Sequence, residues 1–338
     1  MKASKKNLPL ISVFMPTYNH EKFLAESIDS VLAQDYQNIE IVVVDDCSID
    51  GTAEIARDYA KRYPHHIKFH SNSINLGITA TCNVTLQLCN GKYIAWTSGD
   101  DVWNKEKIIE QFQVMEADDN CLLCYHNTEV FDSETNKTIY YSNSGINGIP
   151  GIEANGLKMS FEIINTLNRL MAGISVMARR EVLPQWGYDY RIPIASDWLM
   201  WIDITAANPN KSVKYIPKVL ARYRRHANNI TLSTANNYEE QLFTLAIVES
   251  RYPQLRPSVR KARAYYNFIQ GVDWVRQGYI EKARICLLES GKHAWTHTPW
   301  LWWLIRSYAK QLLCLNESTH GTNVLKAIAN KITIRKSD

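Results

Sequence analysis

Apolar and polar positions alternate in blocks along the first hundred residues. Leu10–Pro16 (LISVFMP) and Ile39–Val44 (IEIVVV) are unbroken, largely β-branched apolar runs of one strand's length. Strands buried on both faces of a parallel sheet read this way. Between them Ser27, Ile28, Val31 and Leu32 recur at helical spacing. Asp50-Gly51-Thr52 leads into a second helix, Ala53–Arg62, followed by a short strand, Ile67–His70. The loop Ser71–Gly77 comes next, then a helix over about Thr79–Cys89 and a strand at Lys92–Trp96. Within the loop Asn75-Leu76-Gly77 predicts a turn, with Gly77 taking a left-handed conformation. Such short alternation predicts an α/β fold: a mostly parallel sheet flanked by helices on both faces.

The polar residues fall where this architecture would collect them. Thr17-Tyr18, Asp45-Asp46 and Asp100-Asp101 each end a predicted strand. In open α/β sheets ligands bind outside the carboxyl ends of the strands, so these groups converge on one site. In GKYIAWTSGDDVW (Gly91–Trp103) the adjacent carboxylates suit a divalent metal holding phosphate oxygens. An acidic turn is the other reading. Downstream, Trp198, Trp201, Ile202 and Thr205 form the buried face of a helix, with Ser196 or Asp197 suited to cap its start. Residues 128–158 are polar and read as a hairpin or mobile loop above the site. Leu170–Arg179 reads as a strand beside it, and Cys121-Leu122-Leu123-Cys124 as core packing inside another strand rather than a zinc site.

From about Ala235 the pattern is helical: Tyr238–Arg251, Arg256–Gln277, Ile280–His293 and Trp300–Leu315. Tyr265, Tyr266, Phe268 and Trp274 fit helix-hairpin packing. Pro299–Leu315 joins Trp300, Trp302, Trp303 and Tyr308 to Arg306 and Lys310, which suits either a membrane interface or a terminal helix docked on its neighbours.

The 338 residues suffice for one catalytic domain plus an extension. A net charge of +4 is too slight to point to nucleic acid, and no nucleic-acid module appears. Seven scattered cysteines, an odd number, indicate a reducing compartment. No apolar stretch reaches the roughly 18 residues of a membrane span. The basic start (Lys2, Lys5, Lys6) precedes a run broken by Pro9 and needed as the first strand, so no signal peptide is expected. These features predict a cytoplasmic protein, with Pro299–Leu315 as the segment for peripheral contact with a membrane's inner face.

ISVFMPTYNHEKFLAESIDSVLAQDYQNIEIVVVDDCSIDGT, SNSINLG and GKYIAWTSGDDVW, in this order, resemble the nucleotide-sugar half of a family 2 glycosyltransferase with the GT-A (Rossmann-like) fold. The resemblance is dense over about residues 10–115 and thinner to about 231. It implies a catalytic domain over 1–234, with a nucleotide-sugar half (about 8–115) and an acceptor half (116–234), then a helical C-terminal extension over 235–338. It implies an inverting hexosyl transfer from a nucleoside diphosphate sugar to a hydroxyl of a glycan or lipid-linked acceptor in cell-surface polysaccharide synthesis.

Carried over by residue, Tyr18 packs on the nucleobase and Asp46 accepts the base imide N–H. Uracil and thymine offer that donor, which favours a UDP-sugar with a dTDP-sugar second. Pro16, Ser98 and Gly99 belong to the same donor pocket. Asp100 matches the last acid of a D-x-D element that binds Mn²⁺ or Mg²⁺, with Ser98 standing where the first Asp is common. Asp101 is left either as a partner of Asp100 or facing the acceptor. Asp197 matches the general base, with Ser196 replacing the usual Glu. Ala221–Thr231 (ARYRRHANNIT) resembles Tyr-Arg-x-His-x-x-Asn. It places His226 on the metal or diphosphate, with Arg222, Arg224 and Arg225 where pyrophosphate leaves. The helix after Gly77 carries Thr79, Thr81 and Cys82 where the family often has Arg or Lys. Asn83 is the nearest match there, or a loop brace. Ser98 and Ser196 keep open a non-catalytic glycan- or nucleotide-sugar-binding relative. A nucleotidyltransferase would need a Gly-rich basic loop that Thr17–Lys22 lacks.

Overall fold

In the computed structural model, which describes residues 8–194, 196–230 and 238–294, the first two apolar runs form β1 (Ile11–Thr17) and β2 (Ile39–Asp45). Both strands are buried along their whole length. They lie parallel, Ile11 opposite Ile39 and Thr17 opposite Asp45. β3 (Ile67–Ser71) joins β2 and β4 (Tyr93–Trp96) joins β1, both parallel. The connections run through α1 (Leu24–Leu32), α2 (Thr52–Arg62) and α3 (Ile78–Leu88). Because these strands run one way, Thr17, Asp45, Ser71 and Trp96 end at one edge of the sheet.

Beyond β4 the sheet is mixed. After β5 (Val102–Trp103) and α4 (Lys107–Ala117) comes β6 (Cys121–Asp132). β9 (Met177–Arg179) lies antiparallel to both β4 and β6, so the direction reverses twice. β10 (Ser212–Arg225) runs parallel to β6, and β5 closes the edge antiparallel. The order is β3-β2-β1-β4-β9-β6-β10-β5. The double reversal brings the end of β10 back to the same edge as β1, which is what delivers Arg224 to the acids.

The expected strand Leu170–Arg179 is only β9, preceded by a 3-10 turn at Gly173–Ser175. Its apolar residues need burial, which Leu170, Met171 and Ile174 obtain without ladder pairing, while the Val176 carbonyl accepts from Trp96 N–H of β4 at 3.1 Å. Within the polar region, β7 (Thr138–Tyr141) pairs back on β6 as a hairpin, and β8 (Ala154–Asn155) precedes α5 (Gly156–Asn165). α6 (Ser196–Ala207) buries Trp198, Trp201, Ile202 and Thr205, the face its spacing predicts. α7 (Tyr238–Arg251) follows. Contacts divide the chain after Leu255, so α7 counts with the first unit. In the second, α8 (Arg256–Arg276) and α9 (Ile280–Ala294) pack as a hairpin, Ser290 Oγ donating to the Ala264 carbonyl at 2.7 Å. Trp300–Leu315, and with it the proposed membrane segment, lies outside the described residues. Among the described residues no helix is long and apolar enough to cross a membrane. Cys121 and Cys124 are buried free thiols.

Lys107 opens α4 wholly buried. Its Nζ donates to Gln111 Oε1 at 2.6 Å and sits 4.0 Å over the Trp103 ring. Burial pulls the ammonium down to about 7. Burial and then the Lys107 charge lower the neighbouring His126. An unfolded lysine titrates near 10.4, so the unfolded chain holds a proton the folded one resists. The penalty is full below about pH 7 and fades as pH rises towards about 10, so stability should climb by about 1.4 kcal/mol per unit across that window. Urea midpoints measured against pH should show this climb in the wild type and its loss in Lys107→Met. Equal slopes in the two proteins would mean that the amine reaches water.

Candidate active site

The loops after β1 and β2 lock together. Asn19 (φ +55°) and Cys47 (φ +58°) take left-handed turns. Asn19 N–H donates to Ser48 Oγ (2.9 Å), Ile49 N–H to Asn19 Oδ1 (3.0 Å) and His20 N–H to Thr52 Oγ1 (2.7 Å). Asp45 accepts from Ser48 N–H (3.1 Å), the Ser48 hydroxyl and Ser71 Oγ (3.2 Å), so it binds the ends of β2 and β3 together. Asp46 accepts from Asn72 Nδ2 (2.8 Å), Leu76 N–H (2.8 Å) and Gly77 N–H (2.9 Å). The 72–77 loop is therefore wrapped on this carboxylate. Gly77, at φ +81°, makes the turn that brings its amide in, as the sequence suggests. Tyr18 stands at the rim, 40% exposed, while Pro16 is buried within β1.

The turn between β4 and β5 carries the second acid pair. A Cβ on Gly99 would lie 2.5 Å from Thr17 Oγ1 and 2.9 Å from His20 Nδ1, so a glycine lets this turn sit against the β1 loop. Asp100 Oδ2 lies 3.0 Å from His226 Nε2, 3.3 Å from Asn229 Nδ2 and 3.8 Å from His20 Nε2. Asp100 Oδ1 is buried with no partner. His226 is fixed by its own N–H, which donates to Asn229 Oδ1 at 2.7 Å, and by the Phe23 ring, 4.8 Å away.

Arg224 holds the turn from behind. Its Nε donates to the Asp100 carbonyl (2.8 Å), its backbone N–H to Asp101 Oδ1 (2.9 Å), and its guanidinium pairs with Glu26 at 2.5 Å. It lies 4.8 Å from both the Phe23 and Phe131 rings. Arg222 is engaged by Glu129 at 2.9 Å. Two of the three arginines expected around a departing pyrophosphate are thus committed within the protein, and Arg224 works by shaping the acidic turn.

The two acids part in protonation. Burial opposes charge on Asp100, but the His226 bond, nearby His20 and the Ser98 hydroxyl outweigh it and hold the carboxyl below its usual range. Burial and then the Asp100 charge push Asp101 well up. Asp100 is therefore the ionised member, as expected of adjacent carboxyls sharing a site. An ionised oxygen without a partner beside an imidazole nitrogen is a donor set that fits Mn²⁺ or a similar divalent ion. Among the described residues no three His, Cys, Asp or Glu side chains could hold a metal by themselves, so a ligand's oxygens would have to complete the shell.

Asp197 stands in the first turn of α6, half-buried. Its Oδ1 accepts Trp198 N–H at 2.7 Å and Asn168 Nδ2 at 3.4 Å. Burial raises its carboxyl, and those two donors offset part of the rise. The Cys82 thiol on α3 feels the charges of both Asp197 and Asp46, which puts both acids within electrostatic reach of one side chain. Asn83 braces the approach to α6: its Oδ1 accepts Tyr188 N–H (2.7 Å) and its Nδ2 donates to the Tyr188 carbonyl (2.9 Å). Thr79 Oγ1 fixes Ile192 in the same way, at 2.6 Å. His20 and Asn168 were not singled out in the sequence. The only signal for His20 was its place three residues after Thr17; Asn168 gave none.

Residues 12–183 match the model of the family described as Glycosyl transferase family 2. An uncharacterized glycosyltransferase of Rickettsia felis (strain ATCC VR-1525 / URRWXCal2) is 28% identical over 236 residues, 69% of this chain and 37% of the relative. The putative teichuronic acid biosynthesis glycosyltransferase TuaG of Bacillus subtilis (strain 168) is 36% identical over 109 residues, 32% of this chain and 42% of TuaG. The chain thus spans less than half the length of either relative. In structure, S. aureus TarS 1–349 in complex with UDP-GlcNAc superposes with a TM-score of 0.59 at 17% identity, covering 83% of this chain and 91% of that one.

Proposed function

The chain belongs to glycosyl transferase family 2 and has the GT-A fold, and on that premise we propose an inverting hexosyltransferase that uses a UDP-sugar. The observation that carries the reading is the partnerless, buried, ionised Asp100 oxygen beside His226, at the same sheet edge as Tyr18 and Asp46. Tyr18 stacks on the uracil ring with its exposed face. The Asp46 carboxylate has about four lone-pair sites, and three are occupied by Asn72, Leu76 and Gly77. The fourth is available to the imide N–H of uracil or thymine. TarS, as a UDP-GlcNAc complex, supports the choice of uracil.

Asp100 and His226 are the residues that would hold Mn²⁺ or Mg²⁺. A bound ion neutralises charge gathering on the leaving diphosphate. Ser98 and Gly99 shape the turn that presents Asp100, and Arg224 fixes it. Asp197 removes the acceptor hydroxyl proton as that oxygen attacks the anomeric carbon from the face opposite the diphosphate. Burial raises the Asp197 carboxyl above its usual range, which strengthens it as a base. The acceptor is a hydroxyl of a glycan or lipid-linked saccharide. TuaG, a relative named for teichuronic acid biosynthesis, supports a role in polysaccharide synthesis, and action on a cell-surface polysaccharide at the cytoplasmic face is part of the proposal. Peripheral membrane contact through Pro299–Leu315 belongs to the same proposal.

A thermal-shift panel of UDP, dTDP, GDP and CDP, each with and without Mn²⁺, tests the donor. Stabilisation selective for UDP and enhanced by Mn²⁺ is expected, and a ligand at 100 times its Kd adds about 2.7 kcal/mol. A flat response to every nucleotide would overturn the reading in favour of a non-catalytic relative.

A further inference from the structure

We infer that Asn168 is a positioning and acceptor-recognition residue: its amide nitrogen sets the Asp197 carboxylate, and its amide oxygen receives the acceptor-sugar hydroxyl adjacent to the one that attacks. This rests on Asp197 being the base. Just beyond α5 the chain makes two successive left-handed residues, Leu167 (φ +55°) and Asn168 (φ +62°). Leucine is disfavoured there, and such conformations concentrate at functional sites. The turn is held by Leu167 N–H on the Ile164 carbonyl (3.1 Å) and Asn168 N–H on the Ile163 carbonyl (3.2 Å). It aims the Asn168 side chain at the start of α6, Nδ2 3.4 Å from Asp197 Oδ1.

Amide orientation follows from chemistry, because the reverse would set two oxygens against each other. Asn168 Oδ1 is then left buried and without a partner. Buried polar atoms in native proteins are almost always paired, so a donor is missing here. Asp197 Oδ1 is occupied by Trp198 and Asn168, while Oδ2 lies on the side of Gly173, whose added Cβ would come within 3.7 Å of it. These contacts leave Asp197 Oδ2 and Asn168 Oδ1 as the acceptors of the pair. In the inferred complex they accept from vicinal hydroxyls of an acceptor sugar ring, the attacking hydroxyl on Asp197 and its neighbour on Asn168. Asn143 Nδ2 donates to the Leu170 carbonyl (2.8 Å) and Arg169 to the Asn147 carbonyl (3.3 Å), tying the polar loop to this turn.

The test is Asn168→Gly in the full chain, since glycine keeps the left-handed backbone and removes only the amide. The Asp197 carboxyl is titrated by ¹³C NMR, with Asp197→Asn assigning its resonance. The Cys82 thiol and Tyr188 phenol face Asp197, and burial raises both, so neither ionises in the range measured. Losing the donated N–H should raise the Asp197 pKa by about one unit, the scale of a hydrogen bond to a charged group. UDP release from UDP-GlcNAc with Mn²⁺, stimulated by p-nitrophenyl hexosides, should fall about 10–100-fold. The UDP-induced thermal shift should be unchanged, and adding Asn168→Gly to Asp197→Asn should leave kcat unchanged and raise only the acceptor KM; an unchanged acceptor KM would overturn the recognition role. An unmoved pKa in Asn168→Gly overturns the inference. A moved pKa with wild-type turnover in Asp197→Asn would instead remove Asp197 as the base and leave the contact standing.

Discussion

Asp197→Asn is expected to retain nucleotide-dependent stabilisation while losing about 10²–10⁴-fold in transfer rate, the range of a general base. The substitution preserves shape, and the amide oxygen still accepts Trp198 N–H, so α6 keeps its first turn. What disappears is the negative oxygen that takes the acceptor proton. Because burial opposes the Asp197 charge, the neutral amide should cost little stability. Rate and melting temperature therefore separate in this variant. Measuring both on one preparation distinguishes lost chemistry from lost folding, and an unaltered turnover would take Asp197 out of the mechanism.

Asp100→Ala is expected to abolish the Mn²⁺-dependent increment of nucleotide stabilisation and to lower turnover by about 10³-fold, since charge neutralisation at a leaving diphosphate is worth several kcal/mol. UDP without metal should still stabilise the variant, because Tyr18 and Asp46 are untouched. The truncation also strands His226 and Asn229, which lose their common acceptor. Asp100→Asn serves as the control: it keeps an oxygen for Asn229 and removes only the charge. If both variants kept the full Mn²⁺ increment, the cation would have to bind elsewhere.

Much of the donor half was legible in the chain. The runs Ile11–Thr17 and Ile39–Asp45 are strands because a β-branched stretch of that length can satisfy its burial in few other ways. Gly77, Gly99 and the acids at the strand ends follow from local geometry. Legibility failed where a residue's partner lies far along the chain. Arg224 reads in the sequence as a cation where pyrophosphate leaves, and no spacing announces its backbone bond to Asp101 or its guanidinium bonds to the Asp100 carbonyl and Glu26. Asn83 reads in the sequence as either a nucleotide contact or a loop brace, and its bonds to the Tyr188 backbone make it a brace of the segment before Asp197. The apolar stretch Leu170–Val176 carried a strand's composition but found burial as an irregular segment, which a hydropathy pattern cannot distinguish from pairing.

By itself the sequence determined the α/β class, the parallel strands of the nucleotide half, the helix after Ser196, the helices between Tyr238 and Ala294 and the family, because periodicity and short motifs report which faces are buried and how the chain turns. Tertiary structure alone decided which side chains meet. His226 reaches Asp100 across 126 residues only because β9 reverses the sheet direction twice and returns β10 to the acidic edge. Asn168 reaches Asp197 only through a left-handed turn that no local pattern announced. Lys107 is a surface residue by type and an interior one by placement. In each case the deciding quantity is the distance between chemically complementary groups, and that is set by packing rather than by spacing along the chain.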